Sequence, residues 1–239
     1  FFYSWDYYQN HLLEIFLPFK QVNGTWKFTG FTGFASHGAA IGIPLALYFY
    51  SKKHLQKPWL FILDRLAIMV ALAGFFIRFG NFFNSEINGK EVEESFVFAT
   101  RFVREGIGKG QAMSITKEKT VNAAYDALVS KPEFAQYIND IPFKHPAQLY
   151  EGVLYILMFL ILYYLYWKTN KKNQPGFLFG VFMVLLWGIR FVIEFVKETQ
   201  NDLDQSILTD TGLTIGQLLS IPFVLIGLYY MFRPVKSKQ

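Results

Sequence analysis

The run Arg78-Phe79-Gly80-Asn81-Phe82-Phe83-Asn84-Ser85-Glu86-Ile87-Asn88-Gly89 gathers an arginine, three amides and a carboxylate at the end of an apolar stretch. Positions 78, 81 and 84 share a broad face if a helix continues through them, which sets a cation beside hydrogen-bonding amides. A second cation, Arg190, sits in another apolar stretch, with Glu194 four residues on and then Lys197 and Glu198. Guanidinium groups match phosphate oxygens in a fork geometry that lysine lacks, so two such arginines suit an anionic phospholipid head group. Plainer readings stand beside these. Arg78 could snorkel from an interfacial helix end, and Arg190 with Glu194 could clamp two helices together.

Two histidines extend the set. His37 lies in Ser36-His37-Gly38-Ala39-Ala40, where small neighbours let a substrate or another backbone come close. Its ring can take a proton near neutrality, as a thiol nucleophile requires, or it can be a hydrogen-bonded structural residue. His145-Pro146-Ala147-Gln148-Leu149-Tyr150-Glu151-Gly152 opens a third apolar stretch; its proline suits a first helical turn, so part of this run is a helix start. Asp64 and Arg65 read as a structural pair at the opposite membrane face. The chain has no cysteine, so any thiol in the chemistry comes from a substrate.

These groups must be positioned by membrane helices. The 239 residues are 52% hydrophobic and 19% aromatic, too apolar for an ordinary soluble domain. A span needs ~20 apolar residues, and five stretches qualify: Thr29 to Tyr50, Trp59 to Phe83, Gln148 to Trp167, Gly176 to Val196 and Thr214 to Phe232. Two short joins (Lys52, Lys53, His54 and Lys57; Lys168, Lys171 and Lys172) and the tail (Arg233, Lys236, Lys238) are basic, which assigns them to the cytoplasm. Residues 1–28, the connection 84–144 and the acidic join from Lys197 to Gly212 then lie outside. In the long connection Val121, Ala124, Tyr125, Leu128 and Val129 recur at helical spacing, so a small, partly helical head is expected there. The chain opens at Phe1 without a methionine or a signal-peptide pattern, and its natural start is expected upstream.

The polar runs resemble the prolipoprotein diacylglyceryl transferase family. Arg78, Asn81, Asn84, Glu86 and Gly89 stand at its signature spacing. His37-Gly38, His145 to Glu151, Arg190-Phe191-Val192-Ile193-Glu194-Phe195 and Thr214 to Ser220 follow in family order. The resemblance covers nearly the whole chain, and its five blocks keep the family's order. The resemblance implies an all-α polytopic membrane protein, a helical bundle with a small periplasmic head. The family has seven spans, so five here imply that its first two are absent from this chain. Departures occur at Ile77 and Ala39, where the family usually has glycine, at Leu186, where tyrosine is usual, and at Lys197, often an arginine. That last change keeps the charge and loses the fork.

The implied reaction moves the diacylglyceryl group of phosphatidylglycerol to the lipobox cysteine thiol in the signal peptide of a bacterial prolipoprotein, releasing glycerol phosphate. The catalytic expectation falls on His37 as base or orienting group for the thiol, and on Arg78 and Arg190 as stabilisers of the departing phosphate charge. Substrate binding is expected of Asn81, Asn84, Glu86, Gly89, His145, Gln148, Tyr150, Glu151 and Glu194, with Glu86 and Glu194 orienting the arginines. The segment Glu91 to Phe143 is expected to help admit the protein substrate. No metal or other cofactor is expected, since the arginines supply the positive charge and no ligand set is recognisable. The implied location is the bacterial cytoplasmic membrane, with the C-terminus cytoplasmic and the site towards the periplasm. The alternative is a transporter or channel for an anionic solute, which predicts polar residues across the full bilayer. A serine intramembrane protease would need a Gly-x-Ser-Gly-like nucleophile motif, absent from this sequence.

Overall fold

The computed structural model describes residues 19–22, 25–28, 36–55, 57–198 and 211–234, with positions 9 and 209. The chain divides into two units, Phe1–Trp59 and Leu60–Gln239. In the first, β1 (Phe19–Val22) and β2 (Thr25–Phe28) pair antiparallel, with Phe19 opposite Phe28. The sequence Asn23-Gly24 between them is a two-residue hairpin signal, although no strand was expected from composition. Helix α1 (Ser36–Tyr50) continues into a π-helical turn at Ser51–Leu55. Of the expected first span, residues 29–35 lie outside the described residues.

The second unit is built on four apolar helices. Helix α2 (Trp59–Asn84) has 26 residues, ~39 Å at 1.5 Å per residue. Skipping the short helices of the long connection, α7 (Ala147–Lys168) and α9 (Ile215–Phe232) are also long and apolar enough to cross a membrane. Helix α8 (Phe177–Ile193) has only 17 residues, ~26 Å against a hydrocarbon core of ~30 Å. The described residues therefore carry three long apolar helices and a shorter one, a mostly helical polytopic membrane fold.

Helix α8 stops at Ile193, short of the expected Val196, because the chain turns there and Lys197 forms a β-bridge with Gly89. Arg190 consequently sits in the last helical turn, where the partial negative charge of the helix end favours a cation.

Small residues let these helices approach. A Cβ on Gly180 would fall 2.7 Å from the Gly227 carbonyl, and one on Gly227 2.8 Å from that of Gly180, so α8 and α9 cross nearly backbone to backbone. Trp187 of α8 stacks on Phe223 of α9 at 4.3 Å. A Cβ on Gly74 of α2 would lie 2.8 Å from the Tyr155 ring of α7. Asp64, read from sequence as half of a pair with Arg65, instead caps α8: its carboxylate accepts from the Gly176 and Phe179 amides at 2.7 and 2.8 Å. Arg65 packs its guanidinium 3.3 Å above the Phe61 ring.

Between α2 and α7 lie α3 (Val103–Gly106), α4 (Lys109–Thr116), α5 (Val121–Ser130) and α6 (Ala135–Asn139). Thr120 caps α5 by accepting from the Ala123 amide at 3.3 Å. Ile107, Ala112, Ala124, Tyr125, Leu128 and Ile141 form a compact apolar core, closed by a 2.7 Å bond from the Tyr125 hydroxyl to the Ile107 carbonyl. Of the expected helical face, Val129 is the exception at 69% exposed. A short antiparallel pair, β3 (Thr100–Arg101) with β4 (Phe143–Lys144), ties the two ends of this segment.

Candidate active site

The C-terminal end of α2 and the first turns of α7 bring the first group together. Arg78 projects towards α7 beside Gly152, where an added Cβ would stand 3.7 Å from Arg78 Cβ. Arg78 Nε lies 2.8 Å from Glu151 Oε2, both side chains almost fully buried. The other Glu151 oxygen accepts from the Tyr155 hydroxyl at 2.6 Å. Asn81, with its amide turned to satisfy both neighbours, accepts from Arg78 Nη1 at 3.2 Å and donates to the Ile77 carbonyl at 3.1 Å. A buried arginine with a fixed carboxylate and amide keeps one orientation and one charge state.

The carboxylate that orients Arg78 is thus Glu151. Glu86, expected in that role, has an exposed side chain, because the chain leaves helical geometry just before it: Ser85 and Ile87 have φ of 57° and 60°. For a β-branched residue such as Ile87 that conformation is strained. Its surroundings hold it. Gln148 donates to the Glu86 carbonyl at 2.6 Å and to the Asn88 side-chain oxygen, and Asn88 in turn donates to the Ser85 carbonyl at 3.0 Å. Asn84 ends α2 with its side chain exposed.

Gly89 is where this turn meets two other segments. Its amide donates to the His145 carbonyl at 2.9 Å, and the Lys90 amide to the Val196 carbonyl at 2.8 Å. A Cβ on Gly89 would fall 2.6 Å from His145 Cβ and 2.7 Å from the Val196 carbonyl, so only glycine fits. His145 Nδ1 and the Tyr150 hydroxyl are 3.3 Å apart. The ring of Phe96 meets His145 at 4.8 Å, and that of Phe98 meets Tyr150 at 6.2 Å.

From α8, Arg190 leans over the Trp187 ring at 5.7 Å. Glu194 does not pair with it. Its carboxylate turns to Lys197, 3.7 Å away, and occupies the space left by Gly216, whose Cβ would come within 3.0 Å of it. Gly216 lies in the first turn of α9, where a negative charge is favoured. The Lys197 ammonium, itself mostly buried, senses Glu151, Glu194, Arg190 and Arg78 together. Burial lowers its pKa below the usual lysine range, and the two carboxylates oppose that shift.

Tyr155 and Asn88 were not among the residues singled out for the site from sequence, and Lys197 was noted there only as a departure from the family's arginine. Tyr155 stands one helical turn from Glu151, a legible signal; for Asn88 the only hint was its place inside the signature run. His37 lies in the first turn of α1, in the other unit, and its side chain falls outside the described residues.

Residues 1–233 match the family model described as prolipoprotein diacylglyceryl transferase. Among similar proteins, the phosphatidylglycerol–prolipoprotein diacylglyceryl transferase of Bacteroides fragilis is 35% identical over 239 residues, which is 100% of this chain and 72% of that protein. The proteins of the same name from Porphyromonas gingivalis and Chloroherpeton thalassium are 33% and 34% identical. They align with 99% and 100% of this chain, and with 70% of their own length in each case.

Proposed function

The chain belongs to the prolipoprotein diacylglyceryl transferase family, and we propose that it performs the family's reaction with Arg78, Arg190 and Lys197 as the charge that receives the lipid phosphate. As a member of that family it is a multi-pass protein of a bacterial membrane and a transferase that moves diacylglyceryl from phosphatidylglycerol to prolipoproteins.

In the transfer, a cysteine thiolate attacks the glyceryl carbon that carries the phosphate. A C–S bond forms, the C–O bond breaks, and its electron pair leaves on glycerol phosphate. The thiol proton goes to a base, for which His37 is the proposed group. The departing oxygen gains negative charge as the bond breaks, so fixed cations nearby lower the barrier. One observation carries this reading: Arg78 is held by Glu151 at 2.8 Å, and Lys197, bridged to Gly89 of the signature turn, stands 3.7 Å from Glu194, with Arg190 one helical turn before that carboxylate. The surplus positive charge suits one phosphate diester.

Asn81 steadies Arg78 and Gln148 holds the signature turn, while Asn84, Glu86, His145, Tyr150 and Glu194 are the proposed substrate-binding residues. The thiol belongs to a signal peptide with a lipobox. The basic joins support a cytoplasmic C-terminus in the cytoplasmic membrane, with the site towards the periplasm and the 84–144 connection forming a periplasmic head, within which Glu91 to Phe143 helps admit the protein substrate.

The test uses membranes carrying the protein, labelled phosphatidylglycerol and a lipobox peptide, with Arg78→Ala, Arg190→Ala and His37→Ala in parallel. Label on the peptide cysteine with the unmodified protein, and its loss in both arginine variants, is the expected result. Undiminished transfer by a folded Arg78→Ala protein would remove the phosphate role.

A further inference from the structure

Three segments far apart in sequence meet where the chain leaves α2, enters α7 and leaves α8. Gly89 bridges to Lys197 and Glu91 to Lys144, both antiparallel. The His145 amide closes on the Lys90 carbonyl at 3.0 Å. The signature loop therefore runs between the entry to α7 and the exit from α8. On the α8 side the last backbone tie among the described residues is long, with the Glu198 amide 3.4 Å from the Asn88 carbonyl.

Lys144 reinforces that edge. Its Nζ donates to Glu198 Oε2 at 2.7 Å and to Glu105 Oε1 at 3.1 Å, and its side chain is 10% exposed. Burial alone would lower its pKa, but the bonds to Glu198 and Glu105 outweigh that and raise it, so the tie stays charged at neutral pH. Successive residues of an extended segment face opposite sides. With Glu198 held on Lys144, Lys197 must face the other way, towards Glu194 and the cluster of Arg78, Glu151 and Arg190. A slip of one residue would exchange the two side chains.

We infer that Lys144 is a positioning residue for the transfer: by holding Glu198 it sets the register of the α8 exit and so aims Lys197 at the substrate phosphate. It touches no reacting atom itself. The inference rests on reading the Arg78, Arg190 and Lys197 cluster as the phosphate site. Glu105 belongs to α3, so the same ammonium also ties the α2–α7 connection to the α8 exit.

The experiment measures kcat and the KM for phosphatidylglycerol in membranes, together with thermal unfolding in detergent. The variants are Lys144→Met, Lys144→Arg, Glu198→Gln and Glu105→Gln, with Lys144→Met repeated in a Lys197→Met background and Arg78→Ala as the reference for the site. Lys144→Met and Glu198→Gln should each lower kcat/KM roughly ten-fold, about one charge-assisted contact, because Lys197 meets a phosphate that is charged before the C–O bond breaks and gains charge as it breaks. Lys144→Arg and Glu105→Gln should stay near the unmodified kcat/KM, and Lys144→Met should add nothing once Lys197 is Met. An unchanged kcat/KM in Lys144→Met, or an equal loss in both backgrounds that follows thermal stability, overturns the positioning role. If that happens while Arg78→Ala is inactive, the phosphate-site reading stands and only the role of Lys144 falls; transfer by Arg78→Ala would overturn both.

Discussion

Glu151 holds Arg78 through a 2.8 Å contact across the α2–α7 interface, and Tyr155 fixes the second oxygen of the same carboxylate at 2.6 Å. Glu151→Gln should strand a buried guanidinium, a loss of about 3–5 kcal/mol for breaking one side of such a pair. Transfer should fall by about 100-fold or more in the protein that still folds. Tyr155→Phe removes a single hydrogen bond and should cost about 1–3 kcal/mol of stability. Detergent thermal unfolding and the lipid-transfer assay measure both, and Glu151→Gln with full transfer would show that Arg78 is held by something else.

Gly89→Ala should be among the most damaging single-methyl additions, because the new Cβ meets His145 Cβ and the Val196 carbonyl at 2.6 and 2.7 Å. Backbone cannot move aside as a flexible side chain can, so the signature turn must shift. Gly188→Ala in α8 provides the control, since nothing lies within 4 Å of its Cβ position. Transfer per folded molecule should fall at least about ten-fold for Gly89→Ala, a misplacement effect, and stay within two-fold of about normal for Gly188→Ala.

Asp64→Ala should loosen the start of α8 without touching the chemistry. The carboxylate satisfies two amides of the first turn, Gly176 and Phe179, and losing an N-cap costs about 1–2 kcal/mol. The midpoint of thermal unfolding should drop while the KM for phosphatidylglycerol in the folded fraction stays unchanged. A raised KM with normal stability would contradict a purely structural role.

The pH dependence should carry the mark of Lys197. Its folded-state pKa lies below the ordinary lysine value, chiefly through burial, with Arg190 and Arg78 adding to the shift and Glu151 and Glu194 opposing it. Stability from this group is complete above the unfolded value, about 10.4, and is lost as pH falls through the folded value. Activity runs the other way, since only the ammonium attracts phosphate. Transfer should therefore decline on the alkaline side before an ordinary lysine would titrate. Lys197→Arg should move that limb to higher pH, because a guanidinium keeps its proton. An identical alkaline limb in Lys197→Arg would assign it to another group.

The membrane helices were legible because the hydrocarbon sets their length and composition independently of partners. Trp59 to Phe83 became Trp59–Asn84, and Gln148 to Trp167 became Ala147–Lys168. The signature blocks and the family they indicate were equally readable, since residue type and spacing need no third dimension. The periodicity of the connection also gave α5 its buried face of Ala124, Tyr125 and Leu128.

What the sequence by itself determined, then, was a set of apolar helices bearing costly polar groups and the chemistry those groups suit. Only the tertiary structure decided which of them meet. Local spacing favoured Glu86 for Arg78 and Glu194 for Arg190, but a left-handed turn at Ser85 and Ile87 carries Glu86 to the surface, and Gly216 opens a place for Glu194 beside α9. A buried charge takes the partner that helix packing delivers to it. For Arg78 that partner is Glu151, brought close where Gly74 of α2 leaves room for the Tyr155 ring of α7.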